Sequence, residues 1–193
     1  MRLSGETAGI ISATISLAAL IPYIISILKK NTIPNRITWI IWSFSGLIII
    51  ASYYASGARN ELWLPIGYTA GQIIIMILSF RYGVKKWSFL DKICLIGAVF
   101  SLFLWWVFSS AGVALIINVI IDFFGAIPTI VKSYKFPKTE NAFSWILTAV
   151  ASWFNLFTIT KLTFLFLLYP TYMFLANTLI ALLALKPFLW YKR

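Results

Sequence analysis

One carboxylate lies in the middle of a long apolar segment of this chain. Asp122 is preceded by Val, Ile and Ile and followed by two Phe residues. A charge at the centre of a lipid bilayer costs about 2.5–3.5 kcal/mol on insertion scales, so such a residue is a functional candidate. We expect Asp122 to have a functional role. The alternative is an Asp122 that stays protonated and donates a hydrogen bond to a neighbouring helix.

Two amides occupy corresponding places in two other apolar segments. Gln72 and Asn177 each lie seven residues after a proline, 105 positions apart. A buried amide needs hydrogen-bond partners, because leaving it unsatisfied costs about 1–3 kcal/mol. We expect the pair to line a central pocket and bind a polar solute, unless the amides only join helices to one another. The further candidates for solute binding are Asn118 and Asn155, together with Trp42 and Trp153, whose indoles could stack on a solute or pack against lipid instead.

The two amides belong to a longer internal repeat. Several residues recur 106 positions apart with their spacing unchanged. Since internal repeats determine architecture, the chain is predicted to contain a duplicated unit. The matched pairs are Ile21 and Ile127, Pro22 and Pro128, Lys29 and Lys135, Asn35 and Asn141, Trp39 and Trp145, and Ile40 and Ile146.

A proline occurs inside the first helix of each copy. Pro22 and Pro128 remove a backbone hydrogen bond and clash with the preceding turn, at a cost of about 3 kcal/mol in a helix interior. Equivalent positions in both copies favour a hinge for alternating access. The alternative is an ordinary kink that neighbouring helices tolerate.

The composition predicts an all-α transmembrane protein. The chain has 193 residues, of which 61% are hydrophobic and only 11% charged. A helix needs about 20 apolar residues to span a bilayer. Seven segments meet this length, at roughly 5–28, 36–56, 62–80, 88–108, 111–134, 142–160 and 162–185.

The basic residues predict how these helices are oriented. The net charge is +11, but 13 of the 16 Lys and Arg residues fall into connections or the C-terminal segment on one side of the predicted membrane. Only Arg2, Arg59 and Lys161 fall on the other side. Because positive charge near helix ends marks the cytoplasmic side, we expect the N-terminus outside and the C-terminus in the cytoplasm. This distribution explains the net charge without a nucleic-acid partner.

Segments 1–3 and 5–7 form the two copies, and the fourth segment has no counterpart. An odd number of helices per copy would insert the second copy upside down, and one extra helix corrects this. We therefore predict two parallel three-helix bundles, residues 1–86 and 110–193, joined by a linker helix at 87–109.

The lack of histidine and the presence of a single cysteine exclude several functions. The chain has no histidine and a single cysteine, Cys94. Histidine-dependent triads and metal sites are therefore absent, and no cofactor motif is found, so we expect neither an enzyme nor a bound metal or cofactor. Trp residues near helix ends are expected to anchor the protein at the membrane surface. These are Trp39, Trp63, Trp87, Trp145 and Trp190.

The second copy resembles a known family. The stretch from Pro128-Thr129 through Lys135 to Thr139-Glu140 is similar to the P-T-x(5)-K-x(3)-T-E signature of SWEET sugar transporters. The 3+1+3 layout resembles the wider PQ-loop superfamily, although neither copy has the Pro-Gln pair. The run from Asp122 to Gly125 also resembles a D-F-x-G stretch of the lysosomal cystine-exporter branch. In that branch the Asp is implicated in proton coupling.

The resemblance implies a transporter of a small polar solute, sugar-like or amino-acid-like, working by alternating access with or without proton coupling through Asp122. The expected location is the plasma membrane of a prokaryote, as a multi-pass protein in contact with lipid and capable of forming a homo-oligomer. The alternative is a membrane receptor or scaffold on the same frame, as in the KDEL receptors. A basic residue deep in the bundle would favour that alternative, and the sequence predicts none.

Overall fold

The chain folds into α-helices. A computed structural model describes residues 5–55, 63–107, 111–159 and 162–190, and within these ranges it contains seven α-helices and no strand. The helices are α1 (Gly5–Leu28), α2 (Arg36–Ala55), α3 (Trp63–Tyr82), α4 (Phe89–Val107), α5 (Ala111–Lys135), α6 (Ala142–Leu156) and α7 (Phe164–Trp190). A short 3-10 turn, Pro137–Thr139, lies between α5 and α6.

The same local signal begins the second helix of each copy. Asn35 Oδ1 accepts hydrogen bonds from the backbone amides of Ile37 and Thr38, at 2.9 and 3.2 Å. Asn141 Oδ1 accepts one from the backbone amide of Ser144 at 2.8 Å. Asparagine at this position satisfies amides that have no partner within the helix. Helices α2 and α6 consequently begin 106 positions apart.

Six of the helices form a closed ring. Helix α1 packs against α3 and α6, α2 packs against α3 and α5, and α7 packs against α5 and α6. Each contact in the first copy has its equivalent in the second, because α1–α3 corresponds to α5–α7 and α2–α3 to α6–α7. The two contacts between copies, α1–α6 and α2–α5, correspond in the same way. Helix α4 lies outside this ring, against α5 and α2.

Three helices are long and apolar enough to span a membrane, which is consistent with a membrane protein. They cover Gly5–Leu28, Ile116–Lys135 and Leu167–Pro187. Large apolar side chains are exposed on the outer surface, as expected where the surrounding solvent is lipid. Examples are Ile10, Ile21, Phe44, Ile77, Phe103 and Trp106. The three basic residues expected outside, Arg2, Arg59 and Lys161, lie outside the described residues.

Candidate functional site

A cavity of about 460 Å³ lies inside the ring of helices. All six ring helices contribute to its wall, and α4 contributes none of the described lining residues. The wall combines hydroxyl, amide and aromatic groups with one carboxylate. A concave site with a few convergent polar groups is the usual form of a small-molecule binding site. Its polar side chains include Ser12, Ser16, Ser45, Thr69, Gln72, Asp122, Thr148, Ser152, Asn155 and Asn177.

The structure brings five of the seven candidate binding and proton-coupling residues to this wall. They are Gln72, Asn177, Asp122, Asn155 and Trp42. Asn118 lies behind it, where its Oδ1 accepts a hydrogen bond from the cavity residue Ser45 at 3.2 Å. Trp153 lies elsewhere, since it is 48% exposed and packs against Phe157 and Phe174.

Asp122 is held by groups from two other helices. Tyr172 on α7 donates a hydrogen bond to Asp122 Oδ2 at 2.6 Å. Trp42 Nε1 on α2 donates to the Asp122 backbone carbonyl at 3.2 Å. This close approach requires glycine one turn later, because a Cβ on Gly125 would lie only 2.7 Å from Trp42 Nε1. Tyr172 therefore holds the carboxyl group, and Trp42 holds the backbone of α5 beside it.

The two amides have different surroundings. Asn177 Nδ2 donates a hydrogen bond to Ser152 Oγ on α6 at 2.8 Å, and Ser152 Oγ donates to Thr148 O at 2.9 Å. Gly46 occupies the position equivalent to Ser152 in the first copy, so residue 46 offers Gln72 no side-chain hydroxyl. Its Oε1 lies 3.1 Å from the place a Cβ on Gly46 would take. That buried oxygen has no hydrogen-bond partner among the described residues.

Four aromatic rings form a closed cluster on the cavity wall. We call Tyr23, Trp39, Trp42 and Trp145 the aromatic cluster; successive ring centroids lie 5.1 to 6.1 Å apart around it. The expectation that Trp39 and Trp145 anchor the protein at the membrane surface is wrong, since each is only 4% exposed. Both residues lie near the start of a helix, as the sequence indicates, but on the face of that helix that points toward the cavity. Trp87 is 42% exposed, and the side chains of Trp63 and Trp190 lie outside those described.

A buried ion pair lies behind the aromatic cluster. Glu140 Oε2 accepts hydrogen bonds from Tyr23 Oη and Trp145 Nε1, both at 3.0 Å. Its other carboxylate oxygen lies 2.5 Å from Lys132 Nζ. Lys132 also donates to the backbone carbonyl of Ile33. We call Tyr23, Ile33, Lys132, Glu140 and Trp145 the Glu140 cluster, which ties both copies together at the end of the bundle carrying the α1–α2 and α5–α6 connections.

Lys132 departs from the sequence-based expectation for basic residues. It is one of the 13 basic residues that the sequence predicts on the cytoplasmic side, and the sequence predicts no basic residue deep in the bundle. The structure places Lys132 at the end of the bundle but leaves only 7% of its side chain exposed. Burial of a charge is tolerated when it is paired and hydrogen-bonded. Because Glu140 and two backbone carbonyls occupy its ammonium group, Lys132 does not offer the free cation that a carboxylate-binding receptor would need.

The two prolines lie inside continuous helices. Pro22 falls within α1 and Pro128 within α5. The Pro22 carbonyl accepts a hydrogen bond from Asn141 Nδ2 at 3.4 Å, which links α1 to the start of α6. This contact places Pro22 at the interface between the two copies, and its role as a hinge stays a prediction.

Sequence reasoning missed the partners of the charged groups. Tyr172 and Tyr23 reach across helices to Asp122 and Glu140, and nothing in the spacing of either tyrosine signals this. Glu140 had a signal, because it is one of only five acidic residues in the chain and ends the signature stretch of the second copy. An acid so close to an apolar helix requires a positively charged or hydrogen-bonding partner when it is buried. In the structure Lys132 is that positively charged partner.

Comparisons with protein-family models, with curated proteins and with solved structures found no match to this chain.

Proposed function

We propose that this protein is a membrane transporter that carries a small polar solute by alternating access. The observation that carries the proposal is the cavity, which is enclosed by equivalent helices of both copies and lined by amides, hydroxyls and one carboxylate. A wall of this chemistry suits a solute that both donates and accepts hydrogen bonds. The resemblance to SWEET and PQ-loop transporters supports the same proposal.

The Glu140 cluster supports alternating access because it provides a reversible closure. Tyr23 and Trp145 line the cavity and also hydrogen-bond to Glu140 on the far side. Separation of the two copies at this end would break these bonds together with the contact between Lys132 and Ile33. We propose that the cluster closes the cytoplasmic side of the cavity in this conformation.

The proposal includes a membrane arrangement. All seven helices cross the bilayer, the two three-helix copies have the same orientation, and α4 joins them as the linker. The N-terminus is outside and the C-terminus is in the cytoplasm, in the plasma membrane of a prokaryote. The repeated helix contacts and the one-sided basic charge support this arrangement.

Gln72 is proposed as the principal amide ligand of the solute. Buried polar atoms in native proteins almost always have partners, so the unpartnered Oε1 of Gln72 on the cavity wall is notable. The oxygen is buried against Gly46, and a rotation of the flexible Gln72 side chain would bring it to a solute. Asn177 instead contributes its carbonyl oxygen while its amino group remains bound to Ser152.

The proposal is tested by transport into proteoliposomes. The purified protein is first screened by thermal shift against sugars, amino acids and alkylammonium ions, and any stabilising compound is then supplied in radiolabelled form. We expect saturable uptake that Gln72→Ala weakens. Binding without uptake would support the receptor alternative, and the absence of both binding and uptake across the panel would contradict the proposed function.

A further inference from the structure

The described wall of the cavity carries an acidic side chain but no basic one. Among the described lining residues, Asp122 is the one acid and there is no Lys or Arg. The single ion pair found within the described ranges joins Lys132 to Glu140 at the end of the bundle. Asp122 therefore lacks a basic partner in the part of the chain that the structure describes.

The other titratable groups near Asp122 are tyrosines. From α7, Tyr172 donates to Asp122 Oδ2, and Tyr169 lines the cavity, as do Tyr68 on α3 and Tyr23 on α1. Helix α2 presents Trp42, which does not titrate. The acid of α4, Asp91, is engaged with Asn35 and Ser88. The 3-10 turn carries Lys138, which is exposed.

Two kinds of particle can neutralise such a carboxylate inside a membrane. One is a proton, and the other is a positively charged solute that enters the cavity. Both use the same carboxylate, so the binding of one displaces the other. A site of this kind couples the two by exchange, whereas a neutral solute would not compete with the proton.

The aromatic wall beside Asp122 favours a cationic solute. Trp42 and Asp122 both line the cavity, the indole N–H donates to the Asp122 backbone carbonyl at 3.2 Å, and three more aromatic rings continue the cluster from Trp42. A cation within about 6 Å of an indole centroid is attracted by the negative face of the ring. An anionic group on the solute would find no Lys or Arg among the described residues of the wall.

We infer that the solute is a small organic cation of the alkylammonium class, without a carboxylate, and that it exchanges for a proton at Asp122. This inference rests on the proposed transport function. When the cation arrives, the carboxyl O–H bond breaks and the proton leaves to water on that side. The cation then forms an ion pair with the carboxylate. One monovalent cation moves in one direction and one proton in the other, so the exchange transfers no net charge.

Choline is the probe that tests this inference, with its uncharged isostere, in which a tert-butyl group replaces the trimethylammonium group, as the matched control ligand. Binding of choline to the purified wild-type protein is measured by calorimetry across a pH series. We expect choline affinity to rise by about tenfold per pH unit while Asp122 is protonated, because one proton leaves for each cation bound. The isostere is expected to bind weakly and without dependence on pH.

The exchange itself is measured in proteoliposomes that contain a pH-sensitive dye. External choline should acidify the outside and make the lumen alkaline, and an outwardly directed proton gradient should accelerate choline uptake. Asp122→Asn should abolish both effects. Glu6→Gln is the matched control, since it makes the same acid-to-amide change at an exposed acid in the first turn of α1. If Asp122→Asn is not monodisperse, the pH series on the wild-type protein decides alone.

The outcomes separate this inference from the proposed function. Uptake of a sugar or another neutral solute, without proton movement and without competition by choline, would overturn the inference and leave a transporter. Choline binding that does not change with pH would overturn the exchange. If no compound of any class is bound or carried, the proposed function fails as well.

Discussion

Asn177 Nδ2 lies 2.8 Å from Ser152 Oγ and donates a hydrogen bond to it, which ties α7 to α6. The equivalent positions in the first copy hold Gln72 and Gly46, and no such bond exists there. Two differences between the copies, at the amide and at the residue facing it, therefore give the two amides different tasks. Asn177 stabilises the helix contact, whereas the Gln72 oxygen has no partner among the described residues.

This difference predicts that the two amides respond differently to truncation. Asn177→Ala should lower the free energy of unfolding by about 1–3 kcal/mol, since it breaks a buried hydrogen bond and leaves Ser152 with one partner fewer. Gln72→Ala should leave thermal unfolding in detergent unchanged and weaken solute binding. Equal losses of stability in the two variants would contradict the assignment.

The Glu140 cluster predicts a non-additive pair of substitutions. Lys132→Met leaves the Glu140 carboxylate buried without its cation, and loss of one partner from a buried ion pair costs about 3–5 kcal/mol. Adding Glu140→Gln removes that unpaired charge, so the double variant should be more stable than Lys132→Met alone. Thermal unfolding of the wild type, both single variants and the double variant measures the interaction.

The same cluster can be tested as a closure of the cavity. Ser144→Cys, in a Cys94→Ser background, places a thiol on the cavity wall close to Trp145. Lys132→Met should increase its labelling by a soluble thiol reagent applied from the cytoplasmic side. Labelling that is already complete with Lys132 intact would mean that the cluster does not close this end.

Gly125 predicts a steric effect on the position of Trp42. Gly125→Ala would bring a methyl group within 2.8 Å of two indole atoms, so either Trp42 or α5 must move. Overpacking of this kind typically costs about 1–3 kcal/mol. Gly9→Ala is the matched control, because its nearest neighbour lies at 3.7 Å and the change favours helix formation. Gly125→Ala should lower both the unfolding temperature and solute affinity, whereas Gly9→Ala should not reduce stability.

The distribution of basic residues predicts which positions face the cytoplasm. In a Cys94→Ser background, cysteines at Lys30 and Lys138 should react with an impermeant thiol reagent only after the membrane is permeabilised. Cysteines at Arg59 and Lys161 should react in intact cells. Reversed labelling would contradict the proposed orientation, and labelling of all four positions in intact cells would indicate that both orientations are present.

Helix positions could be predicted more closely than contacts between helices. Helix α1 ends at Leu28, the predicted end of the first segment, and α5 ends at Lys135, one residue after the predicted end at 134, because apolar length and proline position are local signals. Helix α6 ends at Leu156, before the predicted end at 160, and α7 continues to Trp190 through Pro187. The partnership of Tyr172 with Asp122 depends on how two helices are rotated against each other, and helices that are apolar on most sides carry little information about rotation.

Helix α4 makes the two contacts between the copies unequal. Duplication alone would give the α1–α6 and α2–α5 contacts the same freedom to move. Helix α4, however, packs against both α2 and α5. In addition, Asn35, just before α2, donates a hydrogen bond at 3.0 Å to Asp91 near the start of α4. The first pair has no such brace among the described residues. A relative rotation of the two copies is therefore expected to pivot about an axis along α2 and α5, with the largest displacement at α1 and α6. In the proposed arrangement, a chain assembled from two separate half-size copies would have no preferred axis, so α4 would bias the direction of the motion in addition to its proposed role as the linker.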